Sequence, residues 1–259
     1  MYDAMILRVR ELLKGLPGKV YAYEEQRAWP ENHDFEMIFQ KDVAFELGGG
    51  KTSSANLTCV TKDAKIFESG RKTDSQICVY GPDLQEIQGD VSYARLCEVL
   101  VKSDADLQEN RDAGRLLGLL QDIDFEKFHV YGKGFMMRTS GQSAREPVRV
   151  SKKALRDGIT FERMGDTFIS HYLKNPEVLA VRVSFITADA FDFERLSGEA
   201  GLAVEIRNSL SKIQKGLPTE CSVCDIREIC NEVEGLRELH FGKKEKAGTD
   251  PACSKKRII

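Results

Sequence analysis

"TFERMGDTFISHYLKNPEVLAVRVSFIT", residues 160–187, decides the fold class. In its first part Phe161, Met164, Phe168, Ile169, Tyr172 and Leu173 recur three and four residues apart, which puts them on one face of a helix. Thr160 is placed to cap that helix, and Asn175-Pro176 ends it. The second part, "VLAVRVSFIT" at 178–187, is rich in β-branched and aromatic residues and reads as a strong strand.

Working outward, residues 191–215 read as a long helix, and "GLPTE" breaks the chain just before Cys221. On the N-terminal side, "VRVSKKALRDG" offers Ser151 as an N-cap, and "GKGFMMRTSG" (132–141) is a short strand or loop between glycines. Residues 104–123 are helix-like, polar first and leucine-rich later. Strands are expected at 19–23, 43–47, 55–61, 76–81 and 95–101. An amphipathic helix over 3–14 opens the chain, and "GLPG" stops it. Strands dominate the first half and helices the second, so the class is α+β. The expected division is an α+β domain over 1–218 and a Cys/His segment with a basic tail over 219–259, packed on that domain.

The chain has 259 residues, enough for a substantial core, with 41% hydrophobic and 31% charged residues and a net charge of −3. That balance gives no case for nucleic acid or an anionic membrane surface as partner. No apolar run approaches the roughly 18 residues of a membrane span, and the N-terminus lacks the pattern of a signal peptide. The expected compartment is the cytoplasm, where disulfides are rare.

"ELGGGKTSS" (46–54) resembles a phosphate-binding loop only superficially. The G-x-x-x-x-G-K-[ST] pattern needs glycine at 45, where this chain has Phe45, and a helix after the lysine, where a strand is expected. A glycine-rich turn using positive φ is the better reading. His33, His129 and His171 stand alone and read as surface or hydrogen-bonded structural residues. Asp122 and Asp124 read as a solvated helix end or loop. Cys59, Cys78 and Cys97 sit inside apolar runs and read as small core residues. No acid, base and nucleophile converge, so no catalytic residue is assigned.

"CSVCDIREICNEVEGLRELH", residues 221–240, holds three of the seven cysteines and one of the four histidines. Cys221 and Cys224 form C-x-x-C, Cys230 follows after five residues, and His240 after nine more. A C-x-x-C loop lets two thiolates converge on one ion or cluster, and a third on the following helix closes the site. Three thiolates and an imidazole would satisfy tetrahedral zinc, and equally an iron–sulfur cluster. The fourth ligand could be His240, Cys253 or an exogenous group. A thioredoxin-type pair needs a βαβ setting that is not evident. Six acids lie between Glu220 and Glu238, and they would make a cluster harder to reduce.

"FELGGGKTSSANLTCVT", "VYGPDLQEIQGD", "GKGFMMRTSGQSAREPVRVSK" and "VRVSFITAD", in this order and spacing, resemble the C-terminal, A-cluster region of acetyl-CoA synthase, the beta subunit of the carbon monoxide dehydrogenase/acetyl-CoA synthase complex. The resemblance covers roughly residues 40–240. Gly81-Pro82-Asp83, Gly134-Phe135-Met136 and the cysteine cluster are its most specific parts. It implies a mixed sheet flanked by helices and a [4Fe–4S] cluster on Cys221, Cys224 and Cys230, with His240 where the family has its fourth cysteine. The family's Cys-Gly-Cys nickel motif does not occur in this sequence. The expectation is therefore a stand-alone, truncated relative that binds no nickel and does not make acetyl-CoA by itself. Its role would be accessory or electron-transfer work in anaerobic one-carbon metabolism, beside a corrinoid, methyltransferase or redox protein. The alternative is a zinc-stabilised structural or binding module without catalysis.

Overall fold

The computed structural model describes residues 2–67, 74–102, 113–139 and 143–215. In chain order the elements are α1 (Asp3–Leu13), β1 (Gly18–Ala22), β2 (Val43–Leu47), β3 (Ser54–Thr61), α2 (Ala64–Phe67), β4 (Gln76–Tyr80), β5 (Tyr93–Val101), α3 (Ala113–Glu126), β6 (Phe135–Met137), β7 (Val148–Ser151), α4 (Lys152–Arg156), α5 (Phe161–Tyr172), β8 (Val178–Ile186) and α6 (Phe193–Lys215). The class is α+β, as the sequence predicts.

A five-stranded mixed sheet has the order β1-β4-β8-β5-β3. β3 and β5 are parallel, β4 and β8 are parallel, and β5 and β8 are antiparallel, so the sheet changes direction at its centre. β3 and β5 are buried at every position, which requires cover on both faces. Successive strand residues point to opposite faces. Tyr93 stacks on Phe161 and Arg95 lies over Phe168, so these residues face α5. Glu98 faces the other way and meets Arg10 of α1. α6 packs beside α1 on β3.

The second sheet is small and antiparallel, in the order β2-β7-β6. β2 is the strand expected at 43–47 and β6 falls within the short strand or loop expected at 132–141, but β7 and the pairing of the three are not legible in the sequence. The cap expected at Ser151 forms: its hydroxyl accepts from the Ala154 amide, and Thr160 likewise caps α5 by accepting from Arg163. The helix-end reading of Asp122 and Asp124 holds, since both lie in the last turns of α3, but for Asp124 the solvated part needs correction: it accepts from Lys127 at 2.8 Å and from Arg207 of α6 at 2.5 Å. Asp122 is exposed, but Asp124 ties two helices together.

Candidate functional site

The residues assigned to a metal, Cys221, Cys224, Cys230 and His240, and the alternative ligand Cys253, lie outside the described residues, as does the 219–259 segment as a whole. Among the described residues no group of three or more His, Cys, Asp or Glu could hold a metal ion. Cys59, Cys78 and Cys97 are free and buried. Burial pushes all three thiols above their ordinary range, Cys59 furthest, so each stays protonated and packs as a small apolar group.

The motifs that carry the family resemblance serve as junctions of the fold. Gly81 turns the chain at φ +100°, and a Cβ there would meet the Ala188 backbone at 2.4 Å. The Thr187 hydroxyl donates to the Pro82 carbonyl at 2.7 Å, tying the ends of β4 and β8. The Asp83 carboxylate accepts from the Leu84 and Phe161 amides, which anchors the first turn of α5. Burial raises the Asp83 pKa even so. Gly134 sits at φ +70°, and a Cβ there would meet the Ser151 hydroxyl at 2.4 Å and Ala154 at 2.6 Å. Only glycine lets β6 approach the capped start of α4 this closely.

Two polar centres flank the arm that leads into β7. The inner one surrounds Arg95, which is fully buried. Its guanidinium donates to both oxygens of Glu146, at 2.8 and 2.5 Å, and to the Cys97 sulfur at 3.3 Å, while lying 4.1 Å over the Phe168 ring. Burial alone would lower the Arg95 pKa, but Glu146 and Cys97 carry it well above its ordinary value. The pair is fork-on-fork and charged, and it joins the large sheet to the arm.

The outer centre is an open cleft of about 400 Å³ lined by Gly48, Gly49, Gly50, Arg138, Ser143, Arg145 and Pro147. The 48–53 segment is a turn, and β3 follows it directly, so Lys51 does not open a helix and the phosphate-loop pattern is absent here. Gly48 and Gly50 have φ of +61° and +56°, as expected for a glycine turn. Thr52 closes the turn, with its amide and hydroxyl both donating to the Gly49 carbonyl. Glu46 accepts from Arg149 at 2.7 Å and from Arg138 at 2.9 Å. The Arg149 hydrogen bond, helped by Arg138, holds the Glu46 carboxyl below its ordinary value against the opposing effect of burial. Among the described residues Arg145 donates only to neutral oxygens, of Gly48, Thr52 and Ser54, at 3.3–3.4 Å. Sequence reasoning missed these arginines. The available signal was three of them within 138–149, inside a stretch already quoted for the family resemblance.

The histidines behave as predicted. His33 is exposed, as is His129, whereas His171 is buried and meets Glu31 at 3.0 Å.

A family model described as CdhC, CO dehydrogenase/acetyl-CoA synthase complex beta subunit, matches residues 28–190. That span is well over half of the chain, and it stops short of the cysteine segment. None of the curated proteins matches the chain. No described helix is long and apolar enough to cross a membrane.

Proposed function

The chain belongs to the family of the CO dehydrogenase/acetyl-CoA synthase complex beta subunit, and on that premise we propose that it is an iron–sulfur protein of one-carbon metabolism, with an accessory or electron-transfer role. The observation that carries this reading is C-x-x-C-x5-C at Cys221, Cys224 and Cys230, following a body of that family. Three thiolates suit a [4Fe–4S] cluster, and His240 is the proposed fourth ligand. The described cysteines support the assignment indirectly, because their protonated, buried thiols are poor ligands. When bound, such a cluster supplies one-electron transfer. In the sequence the three cysteines follow α6 and are interspersed with Asp225, Glu228, Glu232 and Glu234, whose negative charge would favour the oxidised form of a nearby cluster. No Cys-Gly-Cys is present to bind nickel. The proposed partners are a corrinoid, methyltransferase or redox protein.

The test is metal content after strictly anaerobic purification. Iron and acid-labile sulfide in near-equal amounts, with a brown chromophore lost in Cys221→Ser, is the expected result. A colourless protein carrying zinc alone would sink the iron–sulfur reading and make the segment a structural clasp. His240→Ala then tests the fourth ligand: a closed site loses affinity for its metal, and an open one keeps it.

A further inference from the structure

We propose that the cleft between the 48–52 turn and Arg138, Ser143, Arg145 and Pro147 binds a phosphate group, free or as the end of a small phosphate ester. Two arginines, Arg138 and Arg145, line it and no carboxylate does, while Glu46 and Asp90 lie close by. Glu46 is already shared by Arg138 and Arg149. The Asp90 carboxylate is engaged by the Glu46 amide. Arg145 has no carboxylate partner among the described residues, and its long bonds to neutral oxygens leave its fork ready to exchange for an anion.

The turn adds a second kind of donor. None of the hydrogen bonds among the described residues uses the Gly49, Gly50 or Lys51 amide. Gly48 and Gly50 have left-handed φ and Gly49 does not, an alternation of the kind that turns successive amides to one side and suits oxyanions. A guanidinium fork and unpartnered amides at the edge of one open cleft suit a tetrahedral dianion better than a single carboxylate. The volume of about 400 Å³ exceeds a bare phosphate and leaves room for an ester's organic part. This site differs from a helix-borne phosphate loop, since its lysine leads into a strand. It does not depend on the cysteine segment or its metal.

The experiment titrates the full chain with inorganic phosphate, glycerol phosphate and acetate by calorimetry at fixed ionic strength. Phosphate is expected to bind, acetate to bind at least tenfold more weakly, and Arg145→Gln to weaken phosphate at least tenfold. Arg145→Lys, which keeps the charge and the stem but loses the fork, should fall between. Tighter binding of the ester than of phosphate would assign the organic part to the cleft, and equal binding would leave free phosphate as the ligand. Lys14→Gln, just after α1 and outside the cleft, controls for general charge. Acetate binding as well as phosphate, or equal weakening by Lys14→Gln and Arg145→Gln, would overturn the proposal. So would phosphate binding unchanged in both Arg145 variants.

Discussion

Arg95 and Arg145 hold the same guanidinium in opposite settings, one residue of the arm apart: Glu146, which pairs with Arg95, is the next residue after Arg145. Arg95 has no exposure, and its donors are committed to Glu146 and Cys97 under the Phe168 ring. Arg145 is exposed and holds only long contacts with neutral oxygens. The divergence is one of burial: Glu146 is fully buried, whereas Arg145 beside it is exposed. A buried ion pair resists loss of either member, whereas a rim cation is free to serve a ligand. The same arm thus locks the two sheets together on its inner side and offers charge to solvent on its outer side.

The largest expected effect breaks the inner half of this contrast. Glu146→Gln leaves a buried, unpaired guanidinium and should cost about 3–5 kcal/mol in denaturant unfolding. Replacing both partners with apolar residues, Arg95→Met with Glu146→Leu, should recover most of that loss, because no uncompensated charge remains. If the single and double variants were equally unstable, the pair would matter through packing and not charge. Next comes Gly134→Ala, which imposes both a left-handed backbone and a clash with Ser151 and Ala154. A loss of about 2–3 kcal/mol is expected, read as a lowered melting temperature.

Glu46→Gln tests the outer half and should be the mildest, about 1 kcal/mol or less at neutral pH. Its pH dependence has a definite sign. The folded Glu46 pKa is depressed from 4.5, so its contribution is present above 4.5 and is lost as pH falls through the lower folded value. The stability gap between the native chain and Glu46→Gln should therefore narrow in the acid range. At neutral pH the same variant releases Arg138 and Arg149, and phosphate should bind it a few-fold more tightly. Weaker binding would make Glu46 an organiser of the cleft and not a competitor for its charge.

Most elements of the large sheet were legible in the sequence because their signals are local. Apolar runs gave β1, β3, β4, β5 and β8, three- and four-residue spacing gave α1 and α5, and the caps at Ser151 and Thr160 lie within three residues of the amides they serve. The misread Asp124 shows the limit, since its partner Arg207 is 83 positions away and a solvated acid looks the same in sequence. In the small sheet β2 was legible, but β7 and the pairing were missed for the same reason, β7 being only four residues long and meaningful only against β2 and β6.

The sequence by itself determined the α+β class, the failure of the phosphate-loop pattern, the burial of Cys59, Cys78 and Cys97, and the candidate metal ligands by their spacing. Only the tertiary structure decided the strand order, the use of Gly81 and Gly134 as junctions, the pairing of Arg95 with Glu146, and the gathering of arginines beside the Gly48–Gly50 turn. The physical reason is range. Periodicity, capping and ligand spacing act over a few residues. Charge pairing and cleft formation depend on which distant segments the packed sheets bring within a few ångströms, and arginines look alike in sequence whether they end up buried or exposed.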